Sequence, residues 1–417
     1  MLRLPRVPRL HRSLPLMVMM ALSVLAASPV AQAQPAAESA ARARPAKEAK
    51  ETKPAKQAKP VRQAKPKSKP AQAERKTTGR KSAARAKPPT GQPYADRDDV
   101  MRFAAEVAQR QGFDATWTRR ILAQAHRLPV VERLTQQPPA GTRKNWAAYR
   151  SRFIEPTRIE AGRSFWQAHR SALERAEREF GVPAEIIVGI IGVETLYGQN
   201  MGNFRVIDAL ATLSFDHPPH PRLAERTAFF RSELEQFLGL AHRAGGDPML
   251  PLGSYAGAMG LPQFMPSSSI RWAVDFDGDG RIDLRGSPVD AIGSVANYFK
   301  GFGWRTGLPA YYPVAIDPGR TDLDTLLAPD ILPTFSPERF MALGATLDPA
   351  AQGHTGPLAL VELQNGDAPV SYVAGTENFY VVTRYNQSSY YAMAVIELGR
   401  AVREAVIAGD SRAQPAR

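Results

Sequence analysis

The chain has 417 residues, and its 54 lysines and arginines outnumber 40 acidic residues, giving a formal net charge of +14. It contains no cysteine, which excludes disulfides, thiolate metal sites, cysteine nucleophiles and a lipid anchor attached to cysteine. Residues 34 to 90 hold 17 of the basic and only 4 of the acidic residues, and residues 1 to 33 hold four more arginines, so the sequence from Gly91 onward has a net charge of −3. The positive charge therefore does not indicate a folded nucleic-acid-binding domain, and we expect no nucleic-acid partner.

Residues 1–33 have the pattern of a secretory signal peptide. Four arginines precede an apolar run of about 14 residues, and Ala31-Gln32-Ala33 matches the small-residue cleavage site. An uncleaved anchor helix is the alternative, but the run is short for a bilayer of about 30 Å. The pattern predicts a periplasmic protein that is exported through a cleaved signal and carries no lipid anchor.

Residues 34–94 are predicted to be a disordered basic linker rich in alanine, lysine and proline. Such a segment has too few large apolar side chains to offset the entropy lost on ordering. Its charge indicates contact with anionic polymers of the cell envelope, and a solvated spacer is the plainer alternative. We also expect residues 406–417 to form a disordered tail.

Apolar periodicity predicts a mainly helical region over residues 95–180. The expected helices are Asp96 to Gln111, Asp114 to His126 and a long one from Pro156 to Phe180, where Gly181 ends it. Pro183 then begins a helix that is apolar on all sides and reaches Leu196, which is typical of a core helix.

The rest of the chain predicts more helices and one small β element. Helical patterns cover residues 204 to 244, with a loop at 216 to 222, and residues 286 to 302. The runs 358 to 363 and 370 to 373, separated by Asn365-Gly366-Asp367, indicate a β-hairpin. A last helix is expected from Tyr390 to Ala408. The predicted fold class is mainly α (α+β).

Glu194 is the strongest candidate for chemistry, because it ends the apolar helix. Burial disfavours the charged form of a carboxyl group, so the pKa of Glu194 should be raised. A carboxylic acid that stays protonated can protonate the leaving oxygen of a glycosidic bond. A buried glutamate in a structural ion pair is the alternative when the residue is considered by itself.

Several ordered motifs resemble the membrane-bound lytic murein transglycosylase B family, which belongs to glycoside hydrolase family 103. They span residues 95 to 405. The motifs are Gly181-Val182-Pro183 with Gly192-Val193-Glu194-Thr195, Asp208 to Phe215, Ser254 to Gly260, Gln263 to Ser268, Asp290 to Phe299, Asn378-Phe379-Tyr380 and Thr383-Arg384-Tyr385-Asn386.

The resemblance implies a lysozyme-like catalytic core with an additional helical domain and a small β element. It places the helical part at about residues 95–180, the core at about 181–308 plus 376–405, and the β-containing part at about 309–375. It also implies cleavage of peptidoglycan glycan strands between N-acetylmuramic acid and N-acetylglucosamine without water, leaving 1,6-anhydro ends. Glu194 acts there first as acid and then as base, with no cofactor for the chemistry. Cell-wall synthesis proteins are a further expected class of partner.

The resemblance also implies residues that bind the substrate. Hydrogen-bonding groups suit the acetamido groups of the sugars, and aromatic rings suit their apolar faces. The expected substrate-binding residues are Ser254, Gln263, Tyr298, Tyr380, Tyr385 and Arg226. Two alternatives to the transglycosylase are a true hydrolase of the goose-type lysozyme kind and a non-catalytic, calcium-stabilised glycan-binding protein.

Residues 275–283 have the spacing of a calcium-binding loop. Asp275, Asp277 and Asp279 take the first, third and fifth positions, and Gly280 permits the sharp turn at the sixth. The twelfth position is Gly286, so the usual late glutamate is missing; the resemblance offers Asp290 instead, with the backbone oxygen of Arg281. We expect a structural Ca²⁺, with sodium as the other hard cation that suits these ligands, and a solvated turn as the plainer alternative.

His217 and His220, separated by two prolines, are predicted to be loop residues and not a metal pair.

Overall fold

The computed structural model describes residues 91–137 and 143–413. The predicted signal peptide and nearly all of the basic linker lie outside the described residues. In the described residues, no helix combines the length and apolar composition needed to cross a lipid bilayer.

The described residues are mainly helical, as predicted. Proline at the first turn and an oxygen-bearing cap at the N-terminus begin several helices, for example Ser287 before Pro288, where the serine hydroxyl accepts the Asp290 N–H. The helices are α1 (Asp98–Gln111), α2 (Ala115–Ala123), α3 (Pro129–Thr135), α4 (Trp146–Arg150), α5 (Pro156–Ala168), α6 (Arg170–Phe180), α7 (Ala184–Thr195), α8 (Val206–Phe215), α9 (Leu223–Ala244), α10 (Pro266–Trp272), α11 (Pro288–Gly301), α12 (Leu323–Leu327), α13 (Pro337–Ala342), α14 (Pro349–Gln352), α15 (Glu377–Thr383) and α16 (Ser389–Ala413).

Two small sheets complete the fold of the described residues. The predicted hairpin is confirmed as β5 and β6, which pair antiparallel from Ala359↔Gly375 to Asn365↔Ala368. β6 also pairs with β3, and β3 with β4, so the sheet order is β4-β3-β6-β5. The strands are β1 (Phe204–Arg205), β2 (Leu252–Gly253), β3 (Tyr311–Ala315), β4 (Thr346–Leu347), β5 (Ala359–Asn365) and β6 (Ala368–Gly375).

Three hydrophobic clusters of the described residues organise the packing. The helical cluster joins α1 to α3 with α8 and α9, and the β cluster lies under the four-stranded sheet. The central cluster is the largest and is built on α7, α11 and α16, with α5 and α6 packed beside them. Residues 146–180 therefore belong with the central cluster, whereas the sequence predicts one helical part over about residues 95–180.

The structure corrects three sequence-based expectations. The single helix expected from Pro156 to Phe180 is wrong, because His169 takes φ −120° and ψ 23° and separates α5 from α6. The disordered tail expected from residue 406 is wrong up to Ala413, because α16 continues and buries Val406 against the central cluster. The linker ends before Tyr94, which is 1 % exposed and donates a hydrogen bond from its hydroxyl to Asp216 at 2.7 Å.

Candidate active site

Glu194 lies in the last turn of α7, and its side chain is buried at 5 % exposure. Loss of water raises its pKa from 4.5 to about 8, and a hydrogen bond from Tyr391 opposes that rise in pKa. The Tyr391 hydroxyl donates to Oε1 at 2.5 Å, while Oε2 is buried and accepts no hydrogen bond from the described residues. At neutral pH this carboxyl group therefore holds its proton.

Close packing of α7 against α16 brings Glu194 and Tyr391 together. A Cβ added at Gly189 would lie 2.2 Å from the Val395 carbonyl oxygen, and one added at Gly399 would lie 2.1 Å from that of Glu185. The two backbones meet at these glycines because no side chain separates them. Tyr391, near the start of α16, thereby reaches the end of α7.

A group of tyrosines surrounds the carboxyl group. The Tyr385 ring stacks on Tyr391 with centroids 6.3 Å apart and planes 14° apart, and it lies 4.9 Å from the Tyr298 ring. Burial raises the pKa of Tyr298 and Tyr385, and the charge of Glu194 raises the pKa of both further. The same two causes raise the pKa of Tyr149 to about 12.

The phenol groups of Tyr298 and Tyr385 are held by backbone oxygens. Tyr298 donates to the Arg384 carbonyl at 2.8 Å, and Tyr385 donates to the Pro262 carbonyl at 2.5 Å. Both rings are therefore fixed in place. Tyr380 lies one helical turn before Arg384 and accepts a hydrogen bond from its guanidinium at 3.2 Å.

Ser254 and Gln263 lie on the loop that follows β2. The Ser254 hydroxyl accepts the Ala258 N–H at 3.1 Å, and the Gln263 amide donates to the Gly260 carbonyl at 2.8 Å. Gln263 has φ 51°, in the left-handed region that favours glycine. The neighbouring Leu261 accepts a hydrogen bond from Thr195 at 2.9 Å, which ties this loop to the end of α7 beside Glu194.

Arg226 lies on α9 and is 3 % exposed. Its Nε donates to His217 Nε2 at 2.8 Å, and its guanidinium lies 5.9 Å from the Phe230 ring centre. Burial lowers the pKa of both Arg226 and His217. The structure thus places Arg226 in the helical cluster and pairs it with His217, and these contacts do not include the tyrosines around Glu194.

The acidic loop brings three of its predicted ligands together. Oxygens of Asp275, Asp277 and Asp279 lie within 4.8 Å of one another, and the last two side chains are exposed. The Asp275 carboxylate accepts backbone N–H groups from Gly278 at 2.7 Å and Gly280 at 2.8 Å, which closes the loop around it. A cluster of hard carboxylate oxygens fits a calcium ion.

Asp290, at the start of α11, differs from these three carboxylates. It is 1 % exposed and accepts backbone N–H groups of Phe276 at 2.8 Å, Asp277 at 3.2 Å and Asp283 at 2.8 Å. Asp290 therefore holds the loop from inside, and it is not part of the cluster of three. Arg281 follows the cluster, and its N–H donates to Asp279 at 2.8 Å.

Sequence reasoning missed Tyr391, the hydrogen-bond donor to Glu194. The two residues are 197 positions apart. The available signal was the pair Tyr390-Tyr391 at the start of an apolar helix, where one ring must face the core. Tyr149 of α4 was missed because that short helix was not predicted.

A buried, protonated carboxyl group among aromatic rings, in a mainly helical fold, defines the class of enzymes that cleave glycosidic bonds with a glutamic acid. Comparison with known proteins narrows this class. Residues 95–400 match the family model of the transglycosylase SLT domain. The chain belongs to this family and is a peptidoglycan lytic transglycosylase with a lysozyme-like fold.

Individual relatives agree with the family match. The membrane-bound lytic murein transglycosylase B of Escherichia coli (strain K12) is 43 % identical over 321 residues, which cover 75 % of this chain and 84 % of the relative. The E. coli lytic transglycosylase SLT35 in complex with calcium is 42 % identical, with a TM-score of 0.65 over 76 % of this chain and 96 % of that one. SltB3 of Pseudomonas aeruginosa in complex with NAG-anhNAM-pentapeptide is 30 % identical, with a TM-score of 0.63 over 75 % and 80 %.

Proposed function

We propose that Glu194 performs both proton transfers of a non-hydrolytic cleavage of peptidoglycan. Its carboxyl group donates a proton to the glycosidic oxygen as the bond from that oxygen to C1 of N-acetylmuramic acid breaks. The resulting carboxylate then accepts the proton of the muramoyl 6-hydroxyl, and the freed oxygen forms the new bond to C1. The product is a 1,6-anhydro end, and Glu194 finishes protonated.

The observation that carries this proposal is the buried Glu194 with a pKa of about 8. A general acid works best when its pKa lies near the working pH, and so does the base it becomes. Besides burial, the cause that shifts the pKa of Glu194 is the hydrogen bond from Tyr391, and the charge of Glu194 in turn raises the pKa of Tyr149, Tyr298 and Tyr385, which suits one residue with two roles. SltB3 was solved with a ligand that contains an anhydro-muramoyl unit, which supports the same kind of product here.

The substrate proposed is the glycan strand of peptidoglycan, bound along the tyrosines. Tyr380 and Tyr385 are half-buried and offer aromatic surface for the apolar faces of sugars. Tyr298 is a buried residue of the central cluster that packs against Tyr385, so its burial does not favour the predicted sugar contact. Ser254 and Gln263 remain the proposed hydrogen-bonding residues, because the loop that holds them is tied to α7 through Thr195. Substrate binding by Arg226 stays a prediction, and neither the burial of Arg226 nor its hydrogen bond to His217 favours it.

We further propose a structural calcium ion in the acidic loop. Asp275, Asp277 and Asp279 would hold it, with the Arg281 carbonyl, and Asp290 is the proposed late ligand. The complex of SLT35 with calcium supports this choice of metal over sodium. The ion would fix the loop between α10 and α11, and it takes no part in the proton transfers.

The proposed place of action is the periplasm, where peptidoglycan lies. The predicted export signal and the basic segment, proposed to contact anionic envelope polymers, lie outside the described residues. Cell-wall synthesis proteins remain proposed partners.

The test is the Glu194→Gln variant on purified peptidoglycan. We expect release of soluble fragments to fall by roughly 100- to 10,000-fold, the usual contribution of a general acid and base. Glu185→Gln is the matched control, since it makes the same change in the same helix at a residue paired with Arg403. That control should keep its activity; retained activity in Glu194→Gln would contradict the proposal.

Mass spectrometry of the fragments separates this reaction from hydrolysis. Hydrolysis adds one water to each cleaved bond, whereas the proposed reaction adds none. Fragments with the mass of the hydrated sugar would assign the goose-type lysozyme reaction instead, and binding of glycan without any release would indicate a non-catalytic protein.

A further inference from the structure

The backbone that follows Glu194 has an uncommon conformation. Leu196, Tyr197 and Gly198 are three consecutive residues with positive φ, at 49°, 55° and 88°. Side chains rarely tolerate this left-handed region, and two such residues in a row need support from their surroundings. Unfavourable backbone conformations of this kind cluster at functional sites. The side chains that stabilise this turn are therefore candidates for a role in the reaction.

The ring of Tyr197 supplies that support. A Cβ added at Gly162 of α5 or at Gly192 of α7 would lie 2.4 Å from the Tyr197 hydroxyl oxygen. The phenol tip therefore fills a slot between the two helices that exists only because both residues are glycine. The Tyr197 ring also packs against Phe165 of α5, with centroids 5.3 Å apart.

The same slot is closed by the helix that carries Tyr391. The Cβ added at Gly162 would lie 2.5 Å from Val402, and the one at Gly192 would lie 2.8 Å from Leu398, both of α16. Buried Arg158 of α5 donates to the Gly192 carbonyl at the end of α7. The Tyr197 ring thus lies where α5, α7 and α16 meet.

The turn is tied directly to the residue after Glu194. The Thr195 hydroxyl accepts the Gly198 N–H at 3.0 Å and donates to the Leu261 carbonyl at 2.9 Å. Any shift of the turn therefore moves the last residues of α7, including Glu194, relative to Tyr391 and to the loop that holds Gln263.

We infer that Tyr197 is a positioning residue for the reaction, and that its ring, wedged between Gly162 and Gly192, fixes the carboxyl group of Glu194 against Tyr391. The inference rests on the proposed function of Glu194. Tyr197 acts through the backbone, and its hydroxyl group transfers no proton.

The principal test compares Tyr197→Ala with Tyr197→Phe. Removal of the ring should lower kcat by about 100-fold with little change in KM, because misplacement of a reacting group by about 1 Å costs this much. It should also move the high-pH limb of kcat downward, since water that reaches Glu194 lowers its pKa. Tyr197→Phe keeps the wedge and should keep most of the activity and the pH profile of the parent.

Gly162→Ala tests the slot without changing α7 or its turn, and it serves also if Tyr197→Ala fails to fold. The added methyl group should displace the ring and lower kcat, and Tyr197→Phe should restore part of the loss by removing the oxygen that clashes. Gln199→Ala, an exposed residue of the same turn, is the control that should match the parent.

Two results would overturn the inference. One is a Tyr197→Ala variant that melts at a lower temperature but keeps kcat and its pH profile, which is the behaviour of a purely structural residue. The other is a loss in Gly162→Ala that Tyr197→Phe leaves unchanged. If Glu194→Gln is active, the proposed function fails; if it is inactive while Tyr197→Ala is normal, the positioning inference alone fails.

Discussion

Carboxyl groups at two places in this molecule have opposite environments. Glu194 is buried at the end of α7, and loss of water raises its pKa to about 8. Asp277 and Asp279 of the acidic loop are exposed, and each accepts a backbone N–H group, from Asp279 at 3.2 Å and from Arg281 at 2.8 Å respectively. The same chemical group is thus suited to proton transfer in the first place and to holding a cation in the second, and burial decides between the two.

The largest expected effect is on the pH dependence of stability, and it tests whether Glu194 differs from the carboxylates of the acidic loop. Between pH 4.5 and about 8, folded Glu194 keeps a proton that the unfolded chain has released, so the free energy of unfolding falls as pH rises through this window. The decrease is on the order of 5 kcal/mol, at about 1.4 kcal/mol for each pKa unit. In Glu194→Gln, which has no carboxyl group at this position, this contribution to the fall in the free energy of unfolding should be absent.

Chemical denaturation of parent and variant at pH 5 and pH 8 measures the difference, because all other titrating groups are shared. Glu194→Gln should gain stability relative to the parent as pH rises. Parallel curves would mean that Glu194 ionises at an ordinary pH, and the contrast with the acidic loop would disappear.

The second effect sharpens the role of the hydrogen bond to Glu194. Tyr391→Phe removes a donor that stabilises the carboxylate, so the pKa of Glu194 should rise further. The carboxylate form of Glu194, which accepts the proton of the 6-hydroxyl group, is then less stable. A hydrogen bond to a charged group contributes roughly 1.5 to 3 kcal/mol, which predicts a fall in kcat of about 10- to 100-fold.

The measurement is the pH profile of kcat, whose high-pH limb should move upward. Tyr390→Phe is the matched control, since the adjacent hydroxyl donates instead to the Gln364 carbonyl at 2.9 Å. Equal profiles for the two variants would show that Tyr391 contributes only packing.

The sequence predicts those parts of the fold and site that depend on neighbouring residues. The continuous apolar sequence of α7 predicts that Glu194 ends a core helix, and the spacing of Asp275, Asp277 and Asp279 predicts the loop. The pairing of Glu194 with Tyr391 could not be predicted, because it depends on how α16 packs against α7. Gly189 and Gly399 permit this close approach, but nothing in the sequence around either glycine indicates which helix it contacts.

Tertiary packing also explains the incorrect expectations. The apolar positions on both sides of His169 favour one helix, but the non-helical dihedral angles of His169 end α5, and its ring packs on Phe165 with centroids 4.7 Å apart. The tail after residue 405 has little apolar content, yet Val406 finds a place in the central cluster. The spacing of Asp290 in the sequence is that of a metal ligand. In the fold Asp290 is buried, and its carboxylate accepts hydrogen bonds from three backbone N–H groups.

The smallest expected effect separates Asp290 from the three clustered carboxylates. With calcium at ten times its Kd, the parent should gain about 1.4 kcal/mol of stability by mass action and melt a few degrees higher than in chelator. Asp279→Asn should lose this gain and match the parent in chelator. Asp290→Asn should melt lower than the parent even in chelator, because the buried carboxylate that accepts three backbone N–H groups is weakened.

Melting curves with calcium and with chelator decide this point, with Asp247→Asn as an exposed control in another loop. If Asp290→Asn melts normally in chelator but loses the calcium response, then Asp290 acts as a ligand and its backbone bonds contribute little. If calcium and chelator give identical curves for the parent, the loop is a solvated turn. Exposure would then still distinguish Asp277 and Asp279 from Glu194, but it would no longer indicate that the loop holds a metal.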